Sequence, residues 1–189
     1  MNPDQPDSEA ERISTIEAFA DTIIPGEKRS PQDRAIAGAA PGAGAVVAGA
    51  LELLEQPGGG LAPTLDALAL ALNAHAVSHA AAQGLVLDED VAPFVALPFP
   101  HRTALVLALT APGHPEQAMW VALALFSNMA FDSAAHLPTA EALAGRHPGL
   151  LTIGYLPPEA DGLFRFPSYS YGRPLASLHP ATTATGNPA

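Results

Sequence analysis

Prolines and glycines limit every regular element that this chain can form. The 189 residues include 20 prolines and 16 glycines, and both residue types destabilise the interior of a helix. Between these breaks, apolar residues recur every three to four positions, the spacing of one helix face. Alanine dominates the apolar residues and aromatics are only 6%, which favours close helix packing over sheets. The sequence therefore predicts an all-α protein.

The breaks divide the chain into six predicted helices. Ser8 and Glu11 have the spacing of a capping box at the start of the first helix. Pro63, Pro100 and Pro115 stand near the starts of later helices, where proline is tolerated. The helix from Pro115 is apolar on every side, so we expect a compact bundle around it. The predicted helices cover residues 8–24, 43–55, 63–83, 100–111, 115–137 and 139–146.

Helical periodicity stops after Gly149, and we expect four regions. They are a flexible N-terminal tail (1–7), a helical domain (8–149), an extended aromatic arm (150–180) and a disordered tail (181–189). Four of the ten Phe and Tyr residues lie within eight positions of the arm: Phe164, Phe166, Tyr169 and Tyr171. Their alternate spacing suits an extended segment that inserts aromatic side chains into a partner. Alternatively, the long irregular arm wraps its own helical domain.

Composition excludes several classes of partner. The formal net charge is −11 and Lys28 is the single lysine, so the chain repels nucleic acid and anionic membrane surfaces. The longest uncharged helical stretch, 117–131, is shorter than the ~20 residues of a membrane helix, so we expect no membrane insertion. Cysteine is absent, which excludes a disulfide-linked partner. The N-terminus has no basic, apolar leader, so we expect a cytoplasmic protein.

Polar residues interrupt two apolar stripes at helical spacing. In the third predicted helix the apolar stripe continues into His75 and His79. In the 115–137 helix a second apolar stripe, with Leu125 and Met129, continues into Asp132 and His136. If those helices pack together, the four polar side chains converge on one buried pocket. Such a pocket could hold a metal ion, act in catalysis without metal, or be a structural polar cluster. All three interpretations stay open.

The remaining histidines and the glycine-rich segments carry weaker signals. We predict that His101, His114, His147 and His179 lie at the surface. The segment "GAAPGAG" (38–44) follows no predicted strand, so it does not match a dinucleotide or phosphate loop. No GxSxG nucleophile motif is present either.

Two stretches resemble a known family. "IEAFADTIIPG" (16–26) resembles the signature near the start of the small subunit, subunit 3, of gluconate 2-dehydrogenase. "PGLLTIGYLPP" (148–158) is similar to the end of that subunit, although Leu156 and Pro157 stand where the family often has Pro-Gly. The lack of a twin-arginine leader places the chain closer to a cytoplasmic branch.

The resemblance implies a non-catalytic accessory subunit of an FAD-dependent dehydrogenase of the glucose-methanol-choline class. It would assist folding, flavin loading or stability of the large subunit, which would carry the FAD, and would hold no cofactor of its own. The residues expected to contact that partner are Ile23, Ile24, Pro25, Gly26, Tyr155, Phe164, Phe166, Tyr169 and Tyr171. The alternatives are a stand-alone enzyme that uses the His/Asp pocket, with or without metal, and a structural or regulatory helical protein.

Overall fold

The structure is a computed structural model that describes residues 5–35 and 39–155, with side chains from residue 9 onward. Within these ranges the backbone forms eight α-helices and two 3-10 turns, and no strand. The predicted all-α fold is therefore confirmed. The helices are α1 (Gln5–Ile23), α2 (Ala50–Leu54), α3 (Leu65–Gln83), α4 (Pro93–Ala96), α5 (Phe99–Thr110), α6 (Gln117–Ser133), α7 (Thr139–Ala144) and α8 (Pro148–Thr152). In the described part of the chain, none of them has the length and apolar character needed to cross a membrane.

Proline and glycine limit the helices as the sequence predicts. Pro93, Pro100 and Pro148 lie in the first turns of α4, α5 and α8. A missing N–H is harmless there, because the first N–H groups of a helix have no intrahelical acceptor. Gly84 follows α3 with φ 66°, the left-handed conformation that commonly closes a helix.

Several predicted boundaries are wrong, and the short helices α4 and α8 were not predicted. The first helix begins at Gln5, so the end of the predicted tail is helical and Ser8 does not cap it. The second helix is short because Gly49, with φ 89°, turns the chain just before it. Helix α6 ends before residue 137 because Ala134 adopts a left-handed conformation, with φ 50°. Helix α8 crosses residue 150, where the arm was predicted to begin.

The helices pack around α1 and α6. Helix α1 contacts α2, α3, α4, α5 and α6, whereas α6 contacts α1, α2, α5 and α8. Helix α3 packs mainly on α1, α4 and α5. The apolar residues of α6 are not all buried, since Val121 and Leu125 are 42% and 53% exposed. The bundle is therefore built around two helices, and one side of α6 faces outward.

Three aromatic side chains from different helices join at the centre of the core. The ring of Phe19 in α1 lies 6.5 Å from that of Phe94 in α4 and 6.2 Å from that of Trp120 in α6. Burial of each such side chain contributes about 1.5–3 kcal/mol or more. The other large, fully buried side chains are Ile16, Leu54, Leu65, Leu68, Leu72, Leu97, Leu109 and Leu123.

A buried arginine connects the loop after α1 to the start of α5. Arg102 is only 4% exposed, and its guanidinium donates to the carbonyl oxygens of Arg34, Ala35, Val95 and Leu97. It also lies 5.9 Å from the centre of the Phe94 ring. Burial lowers the pKa of Arg102 to about 10, so the group stays charged at neutral pH. The four carbonyls replace the water that this charge would otherwise bind.

Substitution of Arg102 by methionine should destabilise the fold strongly. The change leaves buried carbonyl oxygens without a donor, at a cost of about 1–3 kcal/mol for each one that water cannot reach. We expect the free energy of unfolding to fall by at least about 3 kcal/mol in urea denaturation. Lys28→Met is the control, because it removes an exposed cation and should change stability by less than about 0.5 kcal/mol. Equal urea midpoints for the two variants would contradict this role of Arg102.

Candidate functional site

The four polar side chains predicted to share one pocket, His75, His79, Asp132 and His136, lie apart. Helix α3 packs mainly on α1, α4 and α5, and it meets α6 near the start of that helix, where the His75 ring lies 5.9 Å from the Trp120 ring, so the stripe of α3 does not face the segment that carries Asp132 and His136. His75 contacts Glu116 just before α6, and His136 follows the other end of this 17-residue helix, which is about 25 Å long. The predicted convergence is therefore wrong. No group of three or more His, Asp or Glu side chains in the described ranges is arranged to hold a metal ion.

His75 takes part in a small polar cluster beside the core. Its Nε2 lies 2.8 Å from Oε2 of Glu116, and the same oxygen accepts the indole N–H of Trp120 at 3.0 Å. The His75 ring also lies 6.0 Å from that of His114. The hydrogen bond from His75, followed by that from Trp120, lowers the pKa of the Glu116 carboxyl. A carboxylate that orients a half-exposed imidazole is an arrangement capable of proton transfer.

His79 and Asp132 have other partners. Nε2 of His79 lies 3.2 Å from Nδ1 of His101, so one ring donates to the other. Asp132 is exposed and accepts a hydrogen bond of 2.7 Å from Asn128, one turn earlier on α6. The first pair joins α3 to α5, whereas the second lies on the surface of α6.

His136 packs against a histidine that was predicted at the surface. That residue, His147, is 6% exposed. Its Nδ1 accepts the Leu150 N–H at the start of α8. Its Nε2 therefore carries the proton and donates to the Ala48 carbonyl at 2.9 Å. The two rings are 5.6 Å apart. A side chain at Gly49 would overlap the His136 ring, so the glycine makes room for it. Nδ1 of His136 is buried without a hydrogen-bond partner among the described residues.

The position of His136 makes stability depend on pH. Burial lowers the pKa of His136 below its ordinary value of 6.5, the charge of His147 acts the same way, and Glu52 opposes them. The unfolded chain therefore binds more protons than the folded one as the pH falls below about 6.5, and stability drops toward the folded pKa. The free energy of unfolding can be measured by urea denaturation at about pH 7.5 and about pH 5. It should fall less between these two pH values for His136→Leu than for the unchanged protein. An equal loss in both proteins would contradict this assignment.

The segment predicted to face a partner at Pro25-Gly26 is docked on a second loop of the same chain. The Ala45 N–H donates to the Ile24 carbonyl at 2.9 Å, and the Glu27 N–H donates to the Gly42 carbonyl at 2.9 Å. The Gly26 N–H donates to Oδ1 of Asp21 at 2.8 Å. We call residues 24–27 and 42–45 the glycine clamp.

Close backbone contact explains the glycines of the clamp. A Cβ atom on Gly44 would lie 2.6 Å from the Gly26 nitrogen, closer than side chains come to backbone. Ile23 and Ile24 pack on buried apolar residues of the bundle. Ile23, Ile24, Pro25 and Gly26 thus have a structural role within the chain.

Gly44→Ala should open the clamp. The added methyl group overlaps backbone atoms of residues 24–26, and overpacking of this kind costs about 1–3 kcal/mol. Gly58→Ala is the matched control, because a Cβ there meets nothing within 4 Å. Thermal denaturation should show a lower midpoint for Gly44→Ala than for Gly58→Ala. Two equal midpoints would show that the clamp contributes little.

The other predicted partner contacts lie near or beyond the end of the described chain. Tyr155 is half-buried and packs beside Ala134, Ala142 and Leu150. Phe164, Phe166, Tyr169, Tyr171 and His179 lie outside the described residues.

An open groove of about 1050 Å³ lies beside α1, and sequence reasoning missed it. Its walls come from α1, from residues 29–35 and from residues 87–95. The apolar part of its lining consists of Ala10, Ala35, Val77, Leu87, Val91, Ala92, Pro93 and Val95. The charged part consists of Glu11, Glu17, Arg29, Asp33, Arg34, Asp88, Glu89 and Asp90. The signal in the sequence is the acidic run at 88–90, set between apolar residues.

Ion pairs hold the walls of the groove together. Arg29 donates to both carboxylate oxygens of Glu17 at 2.6 and 2.7 Å and to Asp33 at 2.7 Å. Arg34 lies 2.7 Å from Asp88, and this hydrogen bond lowers the pKa of Asp88. Both arginines of the lining are thus already paired with carboxylates of the lining. The groove therefore carries an excess of negative charge.

Comparison with known proteins assigns the chain to a family. The sequence profile of a family of unknown function, DUF5987, matches residues 10–189. Because this match spans nearly the whole sequence, the chain belongs to that family. The comparison with curated proteins gave no significant match, and the comparison with solved structures gave none.

Proposed function

We propose that this DUF5987 protein is a non-catalytic docking subunit of an FAD-dependent dehydrogenase of the glucose-methanol-choline class. It assists the folding, flavin loading or stability of the large subunit in the cytoplasm, and the large subunit carries the FAD. One observation supports this function most directly. The stretch 16–26, which resembles the small subunit of gluconate 2-dehydrogenase, provides part of one wall of the open groove through Glu17.

The same stretch also connects the groove to the core. Ile16, Phe19 and Ala20 are at most 1% exposed, whereas Glu17 holds Arg29 at the groove. The stretch ends in the glycine clamp, which fixes the direction of the chain toward residues 29–35. One short signature thus positions both the core and a surface that can receive another polypeptide.

Exposed apolar side chains on three helices support a docking role. Leu70 on α3 and Leu107 on α5 are 70% and 66% exposed, and Val121 and Leu125 on α6 are 42% and 53% exposed. Burial of such side chains against a partner is favourable, because it removes apolar surface from water. Binding to a large partner would remove these side chains from water.

Co-expression with the flavoprotein tests the proposal. We expect a complex on size-exclusion chromatography and a higher ratio of flavin to protein in the dehydrogenase than when it is expressed alone. The physical reason is that a partner that binds only the folded state shifts the folding equilibrium toward that state. An equal flavin ratio with and without this protein, and no complex, would contradict the proposal.

A second candidate function is an enzyme that uses His75 and Glu116. The observation that favours it is the 2.8 Å contact between a carboxylate and a half-exposed imidazole. The co-expression experiment separates the two functions when Glu116→Gln is included. If this protein is a docking subunit, the variant still raises the flavin content and the dehydrogenase activity of the large subunit. If it is an enzyme, the variant loses its own catalytic activity, because the imidazole loses the carboxylate that orients it.

A further inference from the structure

We infer that the groove beside α1 takes a basic, amphipathic segment of the partner polypeptide. This inference rests on the proposed function and names the chemistry of the segment that docks. It depends on the apolar lining, the excess of carboxylates and the ion pairs that keep the groove open.

The apolar part of the lining selects for a segment with hydrophobic side chains. Val77 on α3 is 51% exposed although it lines the groove. Ala92 and Val95, on the wall formed by residues 87–95, are buried, with exposed fractions of 7% and 4%. The volume of about 1050 Å³ lies just above the roughly 300–1,000 Å³ of small-molecule pockets. An open groove of this size, with apolar residues along its length, fits one face of a helix or an extended strand.

The charges of the lining select for cations. Six carboxylates and two arginines line the groove, and both arginines are in ion pairs. The side chains of Glu89 and Asp90 are exposed, and the structure shows no ion pair for either of them with any residue that it describes. A lysine or arginine on the docked segment can pair with these two carboxylates without breaking an existing contact.

The same charges argue against other occupants. A second copy of this chain would bring a net charge of −11 to an acidic surface, and nucleic acid or anionic lipid would be repelled in the same way. Among the described residues no three carboxylates or histidines converge as metal ligands. A cationic polypeptide segment matches both the apolar and the charged part of the lining.

The ion pairs also reduce the cost of docking. Arg29 connects α1 to residue 33, and Arg34 connects the same loop to residue 88. The hydrogen bonds that Arg29 donates to Glu17 raise the pKa of Arg29, so its guanidinium stays charged at any physiological pH. Because the three walls are joined before the segment arrives, docking orders few additional groups.

Binding of a designed peptide tests the inference. The probe is a fluorescein-labelled peptide of about 14 residues, with leucine on one helical face and lysine on the other. We expect it to bind the full-length protein, measured by fluorescence anisotropy, and a version with glutamate in place of lysine not to bind. The double change Glu89→Gln and Asp90→Asn should weaken binding about five- to tenfold, since it removes two carboxylates that have no ion pair within the described part of the chain.

Two control variants separate the groove from the overall charge and from simple cation binding. Glu27→Gln with Glu141→Gln removes the same number of exposed carboxylates outside the groove, and we expect affinity to change by less than about twofold. Val77→Ser should weaken peptide binding, whereas Val86→Ser, which changes a 98% exposed valine outside the lining, should not. If both double variants weaken binding equally, net charge alone explains it and the inference fails. If spermine displaces the peptide and Val77→Ser has no effect, the groove is a site for small cations instead.

The flavoprotein complex distinguishes failure of this inference from failure of the proposed function. We expect Glu89→Gln with Asp90→Asn to reduce recovery of the complex on size-exclusion chromatography, while Glu27→Gln with Glu141→Gln leaves it unchanged. If the complex forms equally well with both double variants, the partner docks elsewhere, so the inference is wrong and the proposed function stands. If the peptide binds in the groove but no flavoprotein complex forms, the groove is a docking site and the proposed function is wrong.

Discussion

The guanidinium of Arg102 is the contact on which the geometry of the groove depends. It donates to carbonyl oxygens on both sides of the groove, at Arg34 and Ala35 and at Val95. A lysine could not replace it, because one ammonium group cannot reach carbonyls spread around a planar fork. Three of the four residues whose carbonyls Arg102 holds, Arg34, Ala35 and Val95, line two walls of the groove. Stability and the candidate docking surface therefore share one buried side chain.

The glycine clamp has a complementary role at the start of the same loop. Gly26 is fixed by Asp21 and by the contact with Gly44, while Ala35 is fixed by Arg102. Residues 26–35 are thus held at both ends, the ion pair of Arg29 with Glu17 attaches the middle to α1, and its pair with Asp33 lies within the loop. A loop held in this way keeps its shape without helical hydrogen bonds. This explains how a segment rich in polar residues can form a defined wall.

The sequence predicted the positions of the helices but not their pairing. Proline and glycine act on their own segment, so Gly84 and Pro100 could be interpreted without knowledge of the rest of the fold. The histidine contacts depend on which helices are neighbours, and spacing within one helix cannot determine that. Ala134 shows a further limit, because a left-handed alanine is not a sequence signal. Arg102 next to His101 also had no signal, since its acceptors are backbone carbonyls from distant parts of the chain.

Helix α3 shows how one charge-poor helix can serve the core and two surfaces. Its 19 residues carry a single charged side chain, Asp66, at the first turn. One side of the helix buries Leu68, Leu72 and Ala76. A second side carries the two histidines, which contact α5 and Glu116, the residue before α6. The third side places Val77 in the groove. This third side carries apolar rather than charged residues. It therefore adds apolar contact area for a docked segment, but it neither repels nor selects the charged side chains of that segment. Selectivity for a cation then comes from Glu89 and Asp90, on the wall formed by residues 87–95, so the two properties of the groove can be changed independently by mutation.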